Sequence, residues 1–187
     1  MNIGTNMHDD IAEVLYTEEE IKTRVKELGK QISIDYKGKY PLLIGILKGV
    51  TPFYADLIRE IDCQLEMEFM CISSYSDGTE STGLVQIVKD VAVNLKGRDV
   101  LIVEDIIDSG HTLQHLVEVF ETRKPNSIRI ACLLDKKERR DFSCSIVPSY
   151  TGFICPNEFV VGYGLDFAQY YRNLKYIGIL KPSVYGE

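Results

Sequence analysis

Two kinds of hydrophobic pattern alternate along the chain. Ile21, Val25, Leu28 and Ile32 recur at helical spacing behind Thr17 and Glu20. That Thr-x-x-Glu pair has the form of a capping box, in which the hydroxyl and the carboxylate satisfy backbone N–H groups left free in the first turn. The spacing predicts an amphipathic helix over 18–35, and Gly38 and Pro41 break it. Pro41–Leu47 is a short, continuous apolar run, typical of a strand buried on both faces. Phe53, Tyr54, Leu57, Ile58 and Ile61 share one side of a helix over 51–61. Leu65–Ser73, Asp99–Val103 and Ser127–Leu134 predict further strands. Leu113, Leu116, Val117 and Phe120 mark a helix over 109–124. In the C-terminal third, 146–147, 150–154, 159–163 and 176–180 predict short strands.

Alternation of helices with two-sided apolar strands predicts an α/β fold, a central parallel sheet flanked by helices. One stretch breaks the pattern. Residues 73–83, Ser-Ser-Tyr-Ser-Asp-Gly-Thr-Glu-Ser-Thr-Gly, are polar or small apart from one tyrosine. A loop that long in a compact domain is functional or mobile. No repeat or linker divides residues 1–187, so one domain is expected.

Composition narrows the partners. The chain holds 28 acidic and 21 basic side chains, a net charge of −7, which argues against a nucleic-acid binder but not against a small anionic substrate. The apolar runs fall far short of the ~20 residues that span a bilayer. Met1–Asp10 carries two acids and no Lys or Arg, unlike a secretory signal or a mitochondrial presequence. Five cysteines form no C-x-x-C pair, and their odd number beside an N-terminus unlike a signal peptide points to reduced thiols in a cytoplasm. His111 and His115 share a helix face, but no nearby acid or thiol completes a zinc set.

The most informative stretch is Val100-Leu-Ile-Val-Glu-Asp-Ile-Ile-Asp-Ser-Gly-His-Thr112. An apolar strand runs into Glu104-Asp105, and Asp108-Ser109-Gly110-His111-Thr112 then opens a helix. Ligands of open α/β sheets bind at the carboxyl ends of strands. A turn of small residues lets backbone N–H groups converge, and a helix N-terminus favours an anion such as phosphate. Two carboxylates one turn before it suit the hydroxyls of a ribose phosphate. Taken alone, the same turn also fits a helix cap beside solvated acids. It is not a Walker motif, because no G-x-x-x-x-G-K-[ST] is present.

Glu104 to Thr112 resembles the phosphoribosyl-pyrophosphate (PRPP) motif of the type I phosphoribosyltransferases. Leu47-Lys48-Gly49 resembles that family's pyrophosphate loop, and Ser74-Tyr75 the head of its mobile catalytic loop. Leu133-Leu134-Asp135-Lys136 and Phe159-Val160-Val161-Gly162-Tyr163-Gly164-Leu165-Asp166 resemble the purine-recognising segments of its hypoxanthine-guanine branch. The likeness runs in register from about residue 15 to 181.

The resemblance implies the type I phosphoribosyltransferase fold. Its core would span about 36–140, with a small hood from the N-terminal segment and about 145–187. It implies transfer of the phosphoribosyl group from PRPP to hypoxanthine or guanine, giving IMP or GMP and pyrophosphate. Glu104, Asp105, Asp108, Ser109, Gly110, His111 and Thr112 would bind PRPP, with the 5′-phosphate at 108–112. Lys48, Gly49 and Arg172 would contact pyrophosphate. Lys136 would select the base, Phe159 would stack on it, and the carbonyls of Val160 and Asp166 would accept from guanine's amino group. Asp108 would act at purine N7 from a buried position. Glu104, Asp105 and Asp166 would serve Mg²⁺. The peptide bond before Lys48 would be cis. Val50 stands where the family often has a second glycine, and His111 where it often has lysine. A homodimer or homotetramer in the cytoplasm is implied.

Two alternatives stay open from the sequence. One is a transferase preferring xanthine or a single 6-oxopurine. The other is a regulator with this fold that binds PRPP or nucleotides and controls RNA or DNA. The charge of −7 and the joint presence of Lys136 and Asp108 favour the enzyme.

Overall fold

The predicted buried strand Pro41–Leu47 lies at the centre of the molecule, as strand β2 (Leu42–Leu47). The structure is a computed structural model and describes residues 4–74 and 85–186. Before β2 come β1 (Ile11–Tyr16) and α1 (Glu18–Asp35). After it come α2 (Thr51–Glu60), β3 (Glu66–Ser74), β4 (Val85–Lys89) and β5 (Asp99–Ile107). Helix α3 (His111–Thr122), β6 (Ser127–Asp135) and a 3-10 turn (Lys137–Arg139) follow. The chain continues with β7 (Tyr150–Ile154), β8 (Val160–Val161), β9 (Ile177–Leu180) and α4 (Pro182–Tyr185).

The main sheet has six strands in the order β4-β3-β2-β5-β6-β7. All neighbours are parallel except β4, which runs antiparallel to β3. Side chains alternate across it. Leu43, Leu101 and Val103 join Ile21, Val25, Leu28 and Ile32 of α1 and Phe53 and Leu57 of α2 in one core. Leu42, Ile44, Val100 and Ile102 join Leu113, Leu116 and Phe120 of α3 in the other. Helices therefore cover both faces, and both are dry, which is why the central strands are apolar throughout. The capping box of α1 is present. Glu20 Oε2 accepts from Thr17 N at 2.8 Å, and Thr17 Oγ1 accepts from Glu20 N at 3.3 Å.

A second sheet, β1-β9-β8, is antiparallel and brings residues 11–16 beside residues 177–180. With α4 it forms the hood. Tyr171, Leu174, Leu180 and Val184 pack beneath it, and buried Asp10 accepts from Tyr171 Oη at 2.6 Å.

Several expectations change. β5 continues beyond Val103 through both acids to Ile107, because Glu104 pairs with Cys132 and Ile106 with Leu134 on β6. Ladder hydrogen bonds do not depend on side-chain polarity. Strand 150–154, expected in the hood, pairs in parallel with β6 and is the edge of the main sheet. Residues 146–147 form no strand, and 159–163 yields only Val160–Val161, ended by the turn in which Gly162 pairs with Leu165. Tyr75 and most of the expected loop lie outside the described residues, while Ser74 ends β3.

Candidate active site

β5 ends at the carboxyl edge of the sheet, and the chain turns there into α3. Gly110 takes a left-handed conformation (φ +88°) at this turn, one that a side chain would strain. A cavity of about 330 Å³ opens beside it. It is lined by Lys48, Gly49, Glu104, Asp105, Asp108, Ser109, Gly110, Thr112, Asp166 and Arg172, with Ile46, Leu47 and Ile72 among its apolar walls. Segments up to 126 residues apart in the sequence, from Ile46 to Arg172, thus meet at one site.

The Leu47–Lys48 peptide bond is cis, as the resemblance implies. Thr51 closes this loop, its hydroxyl donating to the Lys48 carbonyl at 2.6 Å. Val50, the departure from the family pattern, is fully buried in the α1–α2 core and anchors the loop. Gly49 is required by contact. A Cβ there would stand 1.6 Å from Asp105 Oδ2. Gly164 (φ +101°) closes in from the hood side, where a Cβ would stand 1.9 Å from the Gly49 carbonyl. The loop backbone is thus packed between the Asp105 side chain and the Gly164 backbone.

The acids differ in state. Burial, and then the neighbouring Asp105 charge, holds the Glu104 carboxyl well above the usual carboxylate range. Its Oε2 is enclosed and meets no donor among the described residues. Burial pushes Asp105 up to about 6, against the pull of the Ile106 N–H (2.8 Å) and of Arg172. Asp166 pairs with Arg172 at 2.8 Å and accepts from Gln169 N at 2.8 Å, while Arg172 also donates to the Gly164 carbonyl at 2.8 Å. Among the described residues, no three acids, histidines or thiols converge as a metal cluster. Glu104, Asp105 and Asp166 therefore do not form a self-contained ligand set.

Asp108 lines the cavity but is not buried as expected. Its side chain is 47% exposed, and Arg139 Nε donates to Oδ1 at 2.6 Å. His111 does not line the cavity, and its Nε2 lies 3.3 Å from Asp141. Of the residues expected to meet the base, Asp166 lines this cavity, whereas Lys136, Phe159 and Val160 do not. Lys136 is nearly buried, and its ammonium donates to the Glu158 carbonyl at 2.8 Å. Phe159 is partly exposed, stacked on Tyr185 (4.8 Å, 24°) and edge-on to Phe167 (5.6 Å). Val160 is buried in β8 opposite Ile179. Burial pushes the thiols of Cys155 and Cys132 up to about 11 and about 12, so neither is a nucleophile at neutral pH.

A family model, the phosphoribosyl transferase domain, matches residues 12–168. The hypoxanthine-guanine phosphoribosyltransferase of Bacillus subtilis is 55% identical, over 96% of this chain and 98% of that protein. The chain belongs to this family. A hypoxanthine phosphoribosyltransferase structure from Staphylococcus aureus superposes with a TM-score of 0.93 at 50% identity, covering both chains entirely. The bifunctional protein TilS/HprT of Listeria innocua is 53% identical over this whole chain, which spans only 29% of that longer relative.

Within this member of the family, the acid–turn–helix site was legible in the sequence, whereas its supporting contacts were not. Arg139 on Asp108, Arg140 on Asp135, the Glu158 carbonyl under Lys136, and Tyr185 and Phe167 around Phe159 were all missed. One signal was available. Asp135 ends a strand otherwise apolar in its second half, and a buried acid there calls for a cation close by.

Proposed function

We propose that the protein transfers the 5-phosphoribosyl group of PRPP to hypoxanthine or guanine, forming IMP or GMP and pyrophosphate in purine salvage. The observation that carries this reading is the single cavity uniting the acid pair, the 108–112 turn, the Lys48-Gly49 loop and Arg172. The C1–oxygen bond to pyrophosphate breaks as purine N9 bonds to C1, and positive charge builds on the ribose. Catalysis therefore needs the sugar held, the leaving group neutralised and water excluded.

The backbone of Asp108–Thr112 and the hydroxyls of Ser109 and Thr112 hold the 5′-phosphate at the start of α3. Glu104 and Asp105 take the ribose hydroxyls, and Lys48, Gly49 and Arg172 contact pyrophosphate. Asp108 accepts the purine N7 proton, since Arg139 engages Oδ1 and Oδ2 has no donor among the described residues. The ammonium of Lys136 has three protons, of which Glu158 takes one. The others suit the oxygen at position 6 of hypoxanthine or guanine. Adenine presents an amino donor there, and a stranded donor pair costs about 1–3 kcal/mol. Phe159 stacks on the base, and the carbonyls of Val160 and Asp166 accept from guanine's amino group.

The buried acid pair, with Glu104 Oε2 unmet by any donor, fits a hard cation. Mg²⁺ would be held by Glu104 and Asp105, with Asp166 nearby and substrate oxygens completing its shell, and would neutralise charge on pyrophosphate. We place the active form in the cytoplasm as a homodimer or homotetramer, in keeping with five unpaired thiols; sedimentation reads its size.

Turnover with PRPP and Mg²⁺ on four bases tests the reading. kcat/KM for hypoxanthine and guanine is expected to exceed that for xanthine and adenine by more than about tenfold. No activity on any base would overturn it in favour of a regulator. Asp108→Asn is expected to lower kcat far more than PRPP affinity.

A further inference from the structure

The segment Asp108-Ser109-Gly110-His111-Thr112 contains no lysine or arginine. Its one basic side chain, His111, is turned to Asp141. Lys48 and Arg172, the cations that line the cavity, belong to the β2–α2 loop and to the hood. A dianionic phosphate in this turn would thus meet helix N–H groups and hydroxyls, but no cation of the turn itself.

A cation does stand against the turn from behind. A Cβ placed on Gly110 would lie 2.5 Å from Cys144 Sγ, 2.8 Å from Arg140 Nη1 and 3.2 Å from its Cδ, so Arg140 and Cys144 together back the turn. The Arg140 side chain is only 15% exposed, and its Nη2 is ion-paired with Asp135, itself 2% exposed. Asp135 is fixed at the end of β6, where its carbonyl accepts from Cys155 N at 2.9 Å. Among the described residues, no acceptor meets Arg140 Nη1. This buried nitrogen therefore lies against the turn without a partner, an arrangement that costs free energy. A charge held there is poorly screened by solvent.

We propose that Arg140 is a positioning residue for the 5′-phosphate. It backs Gly110 in its left-handed conformation and sets a buried positive charge against the phosphate turn, and Asp135 fixes its orientation. The proposal rests on reading 108–112 as a 5′-phosphate cradle. It goes further by naming the charge that the cradle lacks.

Calorimetric binding of GMP and of guanosine separates the phosphate from the rest of the ligand. Wild-type protein is expected to bind GMP much more tightly than guanosine. If it does not, the 5′-phosphate reading fails and takes the proposal with it. Given that difference, Arg140→Met, which retains a side chain against Gly110, is expected to weaken GMP about tenfold and leave guanosine unchanged. Arg140→Lys is expected to recover most of the loss. The double variant Asp135→Asn with Arg140→Met leaves no stranded buried carboxylate, so it is expected to melt near wild type and still show the GMP-specific loss. Unchanged GMP binding in Arg140→Met overturns the proposal. So does equal loss of GMP and guanosine in the double variant at native melting temperature.

Discussion

At the scale of single residues, the site is set by close contact and by desolvation. Gly49 has no room for a methyl group, because Asp105 Oδ2 already fills that position. Gly49→Ala is expected to lower kcat/KM at least about tenfold and to lower the melting temperature by several degrees, read by steady-state kinetics and calorimetry. Asp105 gives a pH prediction for the protein without metal or ligand. Its folded-state pKa, about 6, lies above the roughly 3.9 of an unfolded aspartate. Ionisation therefore opposes folding. The penalty is absent below about pH 4, grows as pH rises through about 6, and is complete above it. Asp105→Asn keeps the acceptor for Ile106 N and loses the charge. It is expected to melt higher than wild type at pH 8, by the equivalent of about 3 kcal/mol, with the gain gone by pH 4. A constant difference across that range would contradict the burial of this acid.

At the scale of elements, the helices and inner strands were legible because each has an apolar face of sufficient length. The cap of α1 was legible too. Thr17→Ala is expected to cost about 1 kcal/mol, lowering the melting temperature by about 2–4 °C and leaving kinetic constants unchanged. Strand β1 escaped notice because none of its side chains is fully buried and only the distant β9 pairs with it. Strand β4 covers one edge and leaves Val88 in solvent, so it has no two-sided pattern. The candidate site divides along the same line. Acids and small residues at the end of β5 are adjacent in sequence, so their chemistry could be read directly. Arg139 and Arg140 are consecutive cations in a charged run. Only the 3-10 turn and the strand end before it send one to exposed Asp108 and the other to buried Asp135.

At the scale of the whole molecule, the net charge of −7 conceals a division. Four acids converge on the cavity with Lys48 and Arg172 among them. This suits a small phosphorylated sugar with its cation and not an extended polyanion. The hood also differs from the main sheet in the length of chain it closes. Its sheet joins Ile11 to Leu180, whereas β5 joins β6 across Asp99 and Ser127. Closing the longer, roughly sixfold, separation costs about 1.5 kcal/mol more chain entropy. Contacts so distant in sequence form late. In pulsed hydrogen exchange during refolding, amides of β2, β5 and β6 are expected to gain protection before those of β1 and β9. The same order applies as the chain is synthesised. The phosphate turn can take shape once β6 has been made, but the wall carrying Phe159 and Val160 must wait for residues 177–180. On the function proposed above, a nascent molecule would thus hold a sugar-phosphate cradle before it has any means of telling one base from another.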